Sequence, residues 1–161
     1  MNGSKLSLSY DTSTPTPTKT VKFYLIVKDL SSISISGAVK VETSSFKTQS
    51  LVISTNGYGE GNMAGLNISN LTVNISGAGK MNMAGTATDQ TITISGDGDY
   101  QARDLESQTT TITINGAGKG TLNVSTILNA IINGSGDISY IGNPQVSQQI
   151  NGAGRVTQIT S

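Results

Sequence analysis

Residues 111–119 read Thr-Ile-Thr-Ile-Asn-Gly-Ala-Gly-Lys, and variants of this pattern recur along most of the chain. The tetrapeptide at its centre, Ser/Asn-Gly-x-Gly, occurs in seven copies, of which the first has Val39 in place of the second glycine. The steps between successive first glycines are 20, 20, 19, 20, 18 and 18 residues. A period near 20 residues indicates one structural unit stacked on itself. The first glycines are Gly37, Gly57, Gly77, Gly96, Gly116, Gly134 and Gly152.

Apolar and polar residues alternate just before each of these glycines. The period of two predicts a half-buried β-strand in every copy. Asn-Gly or Ser-Gly then turns the chain, since glycine reaches positive φ without steric cost, and we expect the second glycine to tighten the corner. The predicted inward positions are Ile35, Thr55, Ile75, Ile94, Ile114, Ile132 and Ile150, with Ile33, Ile53, Val73, Ile92, Ile112, Ala130 and Gln148 two residues earlier. Gln148 suits a last coil that faces water.

All of the strands have the same inward phase and the same following corner, which favours parallel stacking over an antiparallel meander. A coil of 18 to 20 residues suits three short strands. Because parallel connections cross over right-handedly, we predict an all-β fold, a right-handed parallel β-helix of about seven coils. The leucine-rich, hexapeptide and nonapeptide solenoids fit the repeat less well. We expect one domain over residues 1–161, with N-terminal strands and a Thr/Pro-rich loop in 1–30 and the repeated coils in 31–161.

Charged residues of alternating sign stand three positions after the first glycines. Stacked coils would place neighbouring members about 4.8 Å apart, where opposite charges attract and like charges repel. We interpret this series, the charge ladder, as a feature that sets the register; a zwitterionic binding stripe is the functional alternative. Its members are Lys40, Glu60, Lys80, Asp99, Lys119, Asp137 and Arg155.

Composition narrows the chemistry. The chain has 161 residues, of which 12% are charged, a net charge of zero and neither cysteine nor histidine. Disulfides and thiolate sites are therefore excluded, the commonest acid–base group is missing, and we expect no nucleic-acid partner. No apolar run approaches the roughly 20 residues of a membrane span, and no signal peptide is evident. We predict no enzyme activity and name no catalytic, cofactor-binding or metal-binding residue.

One group of charged residues deserves a chemical alternative. Asp97, Asp99, Arg103, Asp104 and Glu106 follow a single corner. We interpret them as a solvated turn, although a polysaccharide-cleaving site or a Ca²⁺ site would use the same residue types.

Several smaller signals favour structure over function. Thr91 and Thr93 would stack on Thr111 and Thr113, a pattern that leaves ice binding as a remote alternative. The shared offset of Met63 and Met83 indicates core packing, and Tyr58 lies in a corner where it could contact a sugar. The sequons at Asn67, Asn70, Asn74 and Asn123 are attributed to chance in a chain rich in Asn, Ser and Thr.

The order of these motifs resembles a bacterial family common in Bacteroidetes, named "putative auto-transporter adhesin, head GIN domain". The resemblance covers roughly residues 20 to 158. It implies a pectin-lyase-like right-handed β-helix that is secreted or lies in the cell envelope and serves cell adhesion. The partner expected from it is an unidentified surface ligand, either a glycan or a host protein, and we also expect self-association through coil ends. The motifs are Lys28–Leu30, Ile33–Ala38, Ile132–Ile138, Tyr140–Pro144 and Asn151–Gly154.

Overall fold

A computed structural model describes residues 30–160, which form ten β-strands. The N-terminal strands and the Thr/Pro-rich loop expected before residue 30 lie outside the described residues. All strand pairs within the described part are parallel, as listed by the register of each pair. The strands are β1 (Ser32–Ser36), β2 (Lys40–Thr43), β3 (Phe46–Gly57), β4 (Glu60–Gly77), β5 (Lys80–Gly96), β6 (Asp99–Gly116), β7 (Lys119–Gly134), β8 (Asp137–Ile141), β9 (Gln145–Gly152) and β10 (Arg155–Gln158).

The parallel pairing confirms an all-β solenoid of about seven turns. Each middle coil consists of one long strand that bends around the core, such as β4 with 18 residues. The segment before each corner keeps its register, so that Gly77 lies opposite Gly96, and Gly96 opposite Gly116. An antiparallel meander is therefore wrong for this chain.

The core contains the side chains that the alternation assigned to the interior. Ile53, Ile75, Ile94 and Ile114 are fully buried, as are the residues two positions before most corner glycines. The last coil differs, because Ile150 retains 37% of its exposure and all of β9 faces solvent. The exposed Gln148 on the same strand agrees with its polar character.

The two glycines of each corner have different roles. The first glycine has positive φ, for example +116° at Gly96 and +141° at Gly116, as the sequence predicted. The second glycine is buried, and a Cβ on Gly118 would lie 2.6 Å from Cγ2 of Ile94 in the preceding coil. Its lack of a side chain therefore makes room for the isoleucine ladder, which corrects the expectation that it tightens the turn.

A polar pair inside the core was not predicted. Tyr100 is fully buried, and its hydroxyl donates a hydrogen bond to Oε1 of Gln90 at 2.7 Å. In the stack Tyr100 lies between Met81 and Gly120, so that large and small residues alternate along the interior. Burial raises the pKa of the Tyr100 hydroxyl well above its ordinary value.

Candidate functional site

The strands that follow the corners form one side of the solenoid, which we call the charged face. It comprises β2, β8, β10 and the first residues of β4 to β7. The charge ladder lies on it in the predicted register, since Lys80 is opposite Asp99, and Asp99 is opposite Lys119. Opposite charges therefore do neighbour one another from coil to coil.

The ladder residues nevertheless form ion pairs unevenly. Arg155 Nε lies 3.0 Å from Asp137 Oδ1, whereas Lys80 Nζ lies 3.9 Å from Asp99 Oδ2. Lys40 instead contacts Glu42 on its own strand at 2.8 Å, and the hydrogen bond to Glu42 raises the pKa of Lys40. Alternation of charge thus gives favourable neighbours without a continuous chain of ion pairs.

A second series runs beside the charge ladder, two residues further along each strand. It presents amides at one end and hydroxyls at the other, and we call it the amide ladder. Asn82 Nδ2 donates to Asn62 Oδ1 at 2.6 Å, and Gln101 Nε2 donates to Asp99 Oδ1 at 2.6 Å. Sequence reasoning missed this series because its residue types vary, although its offset from the glycines is constant. Its members are Asn62, Asn82, Gln101, Thr121, Ser139 and Thr157.

Two adjoining hollows follow the amide ladder, and together we call them the groove. The first has a volume of about 430 Å³ and is lined by members of β4, β5 and β6; the second, of about 200 Å³, is lined by members of β6, β7, β8 and β10. Gln101 lines both hollows and so joins them. Because the ladder residues are stacked from coil to coil, the groove extends along the axis of the solenoid.

A bulge in β6 forms one wall of the first hollow. Ala102 pairs with Leu122 and Glu106 with Asn123, so residues 103–105 have no counterparts on β7. Arg103 in this bulge donates from Nη2 to the carbonyl oxygen of Thr160 at 3.2 Å, and Asn123 donates to the Arg103 carbonyl oxygen. Arg103 and Asp104 both line the first hollow.

The groove therefore contains some of the acidic group predicted from the sequence and separates the rest. Asp104 lines the first hollow, Asp99 belongs to the charge ladder, and Glu106 lies beyond the bulge in register with Asn123. Asp97 is the exposed residue between the two corner glycines. Within residues 30–160, no cluster of three or more acidic residues is arranged to hold a metal ion.

Comparison with protein families gives a match over residues 1–144. The matching family model is described as "Putative auto-transporter adhesin, head GIN domain". The chain belongs to this family. The resemblance seen in the sequence is thereby confirmed, and the repeated corners of this head GIN domain are the feature that carried it.

Solved structures with the same fold include three from Bacteroides and Parabacteroides. A putative adhesin from Bacteroides fragilis is 28% identical, with a TM-score of 0.77 over 81% of this chain and 61% of that one. A putative adhesin from Parabacteroides merdae is 25% identical, with a TM-score of 0.65 over 81% and 64% of the two chains. A putative lipid binding protein from Parabacteroides distasonis shares the fold, with 24% identity and a TM-score of 0.71 over 82% and 63%.

The head GIN domain described here spans less than two thirds of the length of these structural relatives. No relative among the curated proteins matches the chain. A helix of the length and apolarity needed to cross a bilayer is not found in residues 30–160.

The opposite character marks the strands that precede the corners, whose outward residues form what we call the neutral face. Thr91 lies opposite Thr111, and Thr93 opposite Thr113, as predicted. Asn74 and Ile131 interrupt this threonine array in the flanking coils. The outward residues of this face between Ser32 and Asn151 are uncharged, so it provides a natural reference surface for the charged face.

The remaining candidates are resolved by burial. Met63 and Met83 lie opposite each other and are buried, which confirms their place in the core. Tyr58 is 74% exposed at its corner, outside both hollows.

Proposed function

We propose that this head GIN domain is a non-enzymatic module of a bacterial cell-surface or secreted protein, and that it binds a glycan or a host protein along the groove. The observation that carries the proposal is the joining of two hollows at Gln101, beside a ladder of amides and hydroxyls in register. Family membership supports an adhesive role and a location in the cell envelope. The right-handed winding and the pectin-lyase-like shape belong to the same proposal.

The solenoid supports such a role because the groove residues are held on paired strands. Each coil is hydrogen-bonded to the next along the charged face, so the side chains that line the groove start from fixed backbone positions. A preorganised site loses less conformational entropy when it binds a ligand. Amide side chains offer a donor and an acceptor close together, which suits neighbouring sugar hydroxyls as well as peptide groups.

The disposition of the carboxylates supports a non-enzymatic role. Glycoside hydrolases use two carboxyl groups at a defined separation across the scissile bond. Among the described lining residues, the first hollow contains Asp104 as its carboxylate and the second contains Asp137. Asp137 is held by Arg155, at 3.0 Å and 3.4 Å.

Binding measurements on glycan arrays and host-matrix proteins test the proposal. We expect the wild type to bind at least one of these ligands, and the double variant Asn82→Ala/Gln101→Ala to lose most of that binding. The matched control is Thr93→Ala/Thr113→Ala, which removes two stacked side chains from the neutral face. Equal loss in both variants, or release of reducing or unsaturated sugar products by the wild type, would contradict the proposal.

Location is tested separately in the bacterium that produces the protein. Surface labelling and fractionation should recover the domain from the envelope or the medium. Self-association through coil ends is part of the proposal as well, and sedimentation at increasing concentration tests it.

A further inference from the structure

The two hollows are electropositive although the chain as a whole is neutral. Among the described residues, the first hollow is lined by Lys80, Arg103 and Asp104. The second is lined by Lys119, Arg155 and Asp137. Each hollow therefore combines two cations with one carboxylate, and the excess positive charge is repeated along the groove.

Lys119 is the cation with the most spare capacity in the second hollow. It stands in register between Asp99 and Asp137. Asp99 accepts a hydrogen bond from Gln101 at 2.6 Å, and Asp137 is held by Arg155. Lys119 itself forms no ion pair within residues 30–160, so its three N–H donors are available to a ligand.

Arg103 supplies the corresponding group in the first hollow. A guanidinium carries five N–H donors, and Arg103 uses Nη2 on the carbonyl oxygen of Thr160 at 3.2 Å. Its position on the β6 bulge brings it to the wall of the hollow, while the amides of Asn62 and Asn82 line the same space. The planar guanidinium suits bidentate contact with a carboxylate or a sulfate.

We propose that the groove binds a linear acidic glycan, one whose sugar units carry carboxylates or sulfates, with its chain parallel to the solenoid axis. This inference rests on the proposed binding function of the groove and names the ligand class. Arg103 and Lys119 each engage an acidic group in their own hollow. Asn82 and Gln101 contact sugar hydroxyls between these points, because their amides combine donors with acceptors.

The amide ladder is what separates a glycan from a generic polyanion. The bond from Asn82 to Asn62 uses one amide donor and one carbonyl acceptor, which leaves the Asn82 carbonyl oxygen and the Asn62 amide nitrogen for hydroxyl groups. A polymer with charges and no hydroxyls would match the cations alone. Asp104 opposes the acidic ligand in the first hollow, so its removal should strengthen binding.

The test measures binding of immobilised protein to polygalacturonate, hyaluronan, dextran sulfate, neutral dextran and poly-L-glutamate. We expect both uronate polymers, or the sulfated polymer, to bind at least tenfold more tightly than dextran and poly-L-glutamate, and more weakly as the salt concentration rises. The first two probes against the third distinguish carboxylate from sulfate recognition. Lys119→Gln and Arg103→Gln should each weaken binding about fivefold, and Asp104→Asn should strengthen it.

Lys47→Gln is the matched control, since Lys47 is an exposed lysine on β3 outside both hollows. Thermal melts establish that each variant is folded. If dextran binds as tightly as the acidic glycans and Gln101→Ala abolishes this binding, the acidic-ligand inference is wrong and the proposed function stands. Poly-L-glutamate binding as tightly as the glycans, Lys47→Gln acting like Lys119→Gln, or no binding of any acidic glycan would each overturn the inference. In the last case the array of glycans and host-matrix proteins still tests the proposed function independently.

Discussion

The α-carbon of Gly118 faces the side chain of Ile94 in the preceding coil, so closely that a Cβ would lie 2.6 Å from Cγ2 of Ile94. The same relationship joins Gly136 to Ile114 and Gly154 to Ile132, each at 2.6 Å. The inward isoleucine of one coil therefore occupies the space left by the second corner glycine of the next. This contact couples the two most regular features of the sequence, the isoleucine ladder and the Gly-x-Gly corner.

Gly118→Ala should consequently destabilise the solenoid. The added methyl group meets Ile94 and also lies 2.9 Å from the carbonyl oxygen of Gly98, so both neighbours must shift. Overpacking of this kind costs roughly 1–3 kcal/mol in the free energy of unfolding, which chemical denaturation can measure. Ala117→Ser changes the exposed residue of the same corner and should alter stability by less than about 0.5 kcal/mol. Equal stability of the two variants would contradict the packing role assigned to the second glycine.

Truncation of the inward isoleucines should have an effect that depends on the coil. Ile94 is fully buried, so Ile94→Ala removes side-chain contacts and leaves a cavity at a cost of about 2–5 kcal/mol. Ile150 has the same place in the repeat and is 37% exposed, so Ile150→Ala should cost less than about 1.5 kcal/mol. Equilibrium unfolding of both variants measures the difference. A cost at position 150 as large as that at 94 would show that the last coil is covered in solution.

The periodic pattern predicted the coil and its phase, because every copy places the same residue types at the same distance from a corner glycine. It could not predict the groove. The step from Gly96 to Gly116 equals several other steps, so the glycine spacing gives no sign of the bulge at residues 103–105. Which neighbours lack counterparts is decided only when β6 is paired with β7. The hollows depend on that pairing.

The polar pair inside the core was equally hidden from the pattern. Gln90 has the same place in the stack as Leu71 and Leu128, with Thr110 between, so its position alone predicts an apolar residue. Its burial becomes intelligible through Tyr100, whose hydroxyl reaches it from the next strand. Hydrogen bonding across ten residues of chain follows from the shape of the coil and has no signature in a period of two.

Tyr100→Phe should therefore destabilise the protein at neutral pH. The variant keeps the ring and leaves Oε1 of Gln90 buried without its donor, which costs about 1–3 kcal/mol. Denaturation at pH 7 measures this loss. Because Gln90 Nε2 already has no hydrogen-bond partner among the described residues, the double variant Tyr100→Phe/Gln90→Leu should recover stability relative to Tyr100→Phe alone. Failure to recover would contradict an energetic coupling between the two residues.

The buried hydroxyl also predicts how stability changes at high pH. The pKa of Tyr100 is raised in the folded protein, so the unfolded chain releases the proton first as the pH rises through the ordinary tyrosine value near 10. The stabilising contribution of the neutral hydroxyl is complete below about pH 10 and declines above it. Melting temperatures from neutral pH to beyond this range should therefore fall more steeply for the wild type than for Tyr100→Phe. Parallel curves for the two proteins would contradict the raised pKa.

The charge ladder yields a prediction in which salt separates electrostatics from packing. Asp99→Lys would place three cations in consecutive coils, because Asp99 lies between Lys80 and Lys119. Two attractive neighbours become repulsive, which should lower the free energy of unfolding by roughly 0.5–2 kcal/mol at low ionic strength. Since salt screens exposed charges over about 10 Å at 0.1 M, the loss should shrink as salt is added.

Glu106→Lys is the matched reversal of charge for this measurement. Glu106 is an exposed residue of the same strand, and its neighbours in register are the uncharged Thr86 and Asn123. Its substitution should leave stability nearly unchanged at both salt concentrations. Asp99→Asn adds a second comparison, because it keeps an acceptor for Gln101 and removes the charge alone. If Asp99→Lys and Glu106→Lys respond alike to salt, alternation in the ladder does not contribute to the register, and the sign pattern would have to be explained by the ligand of the groove.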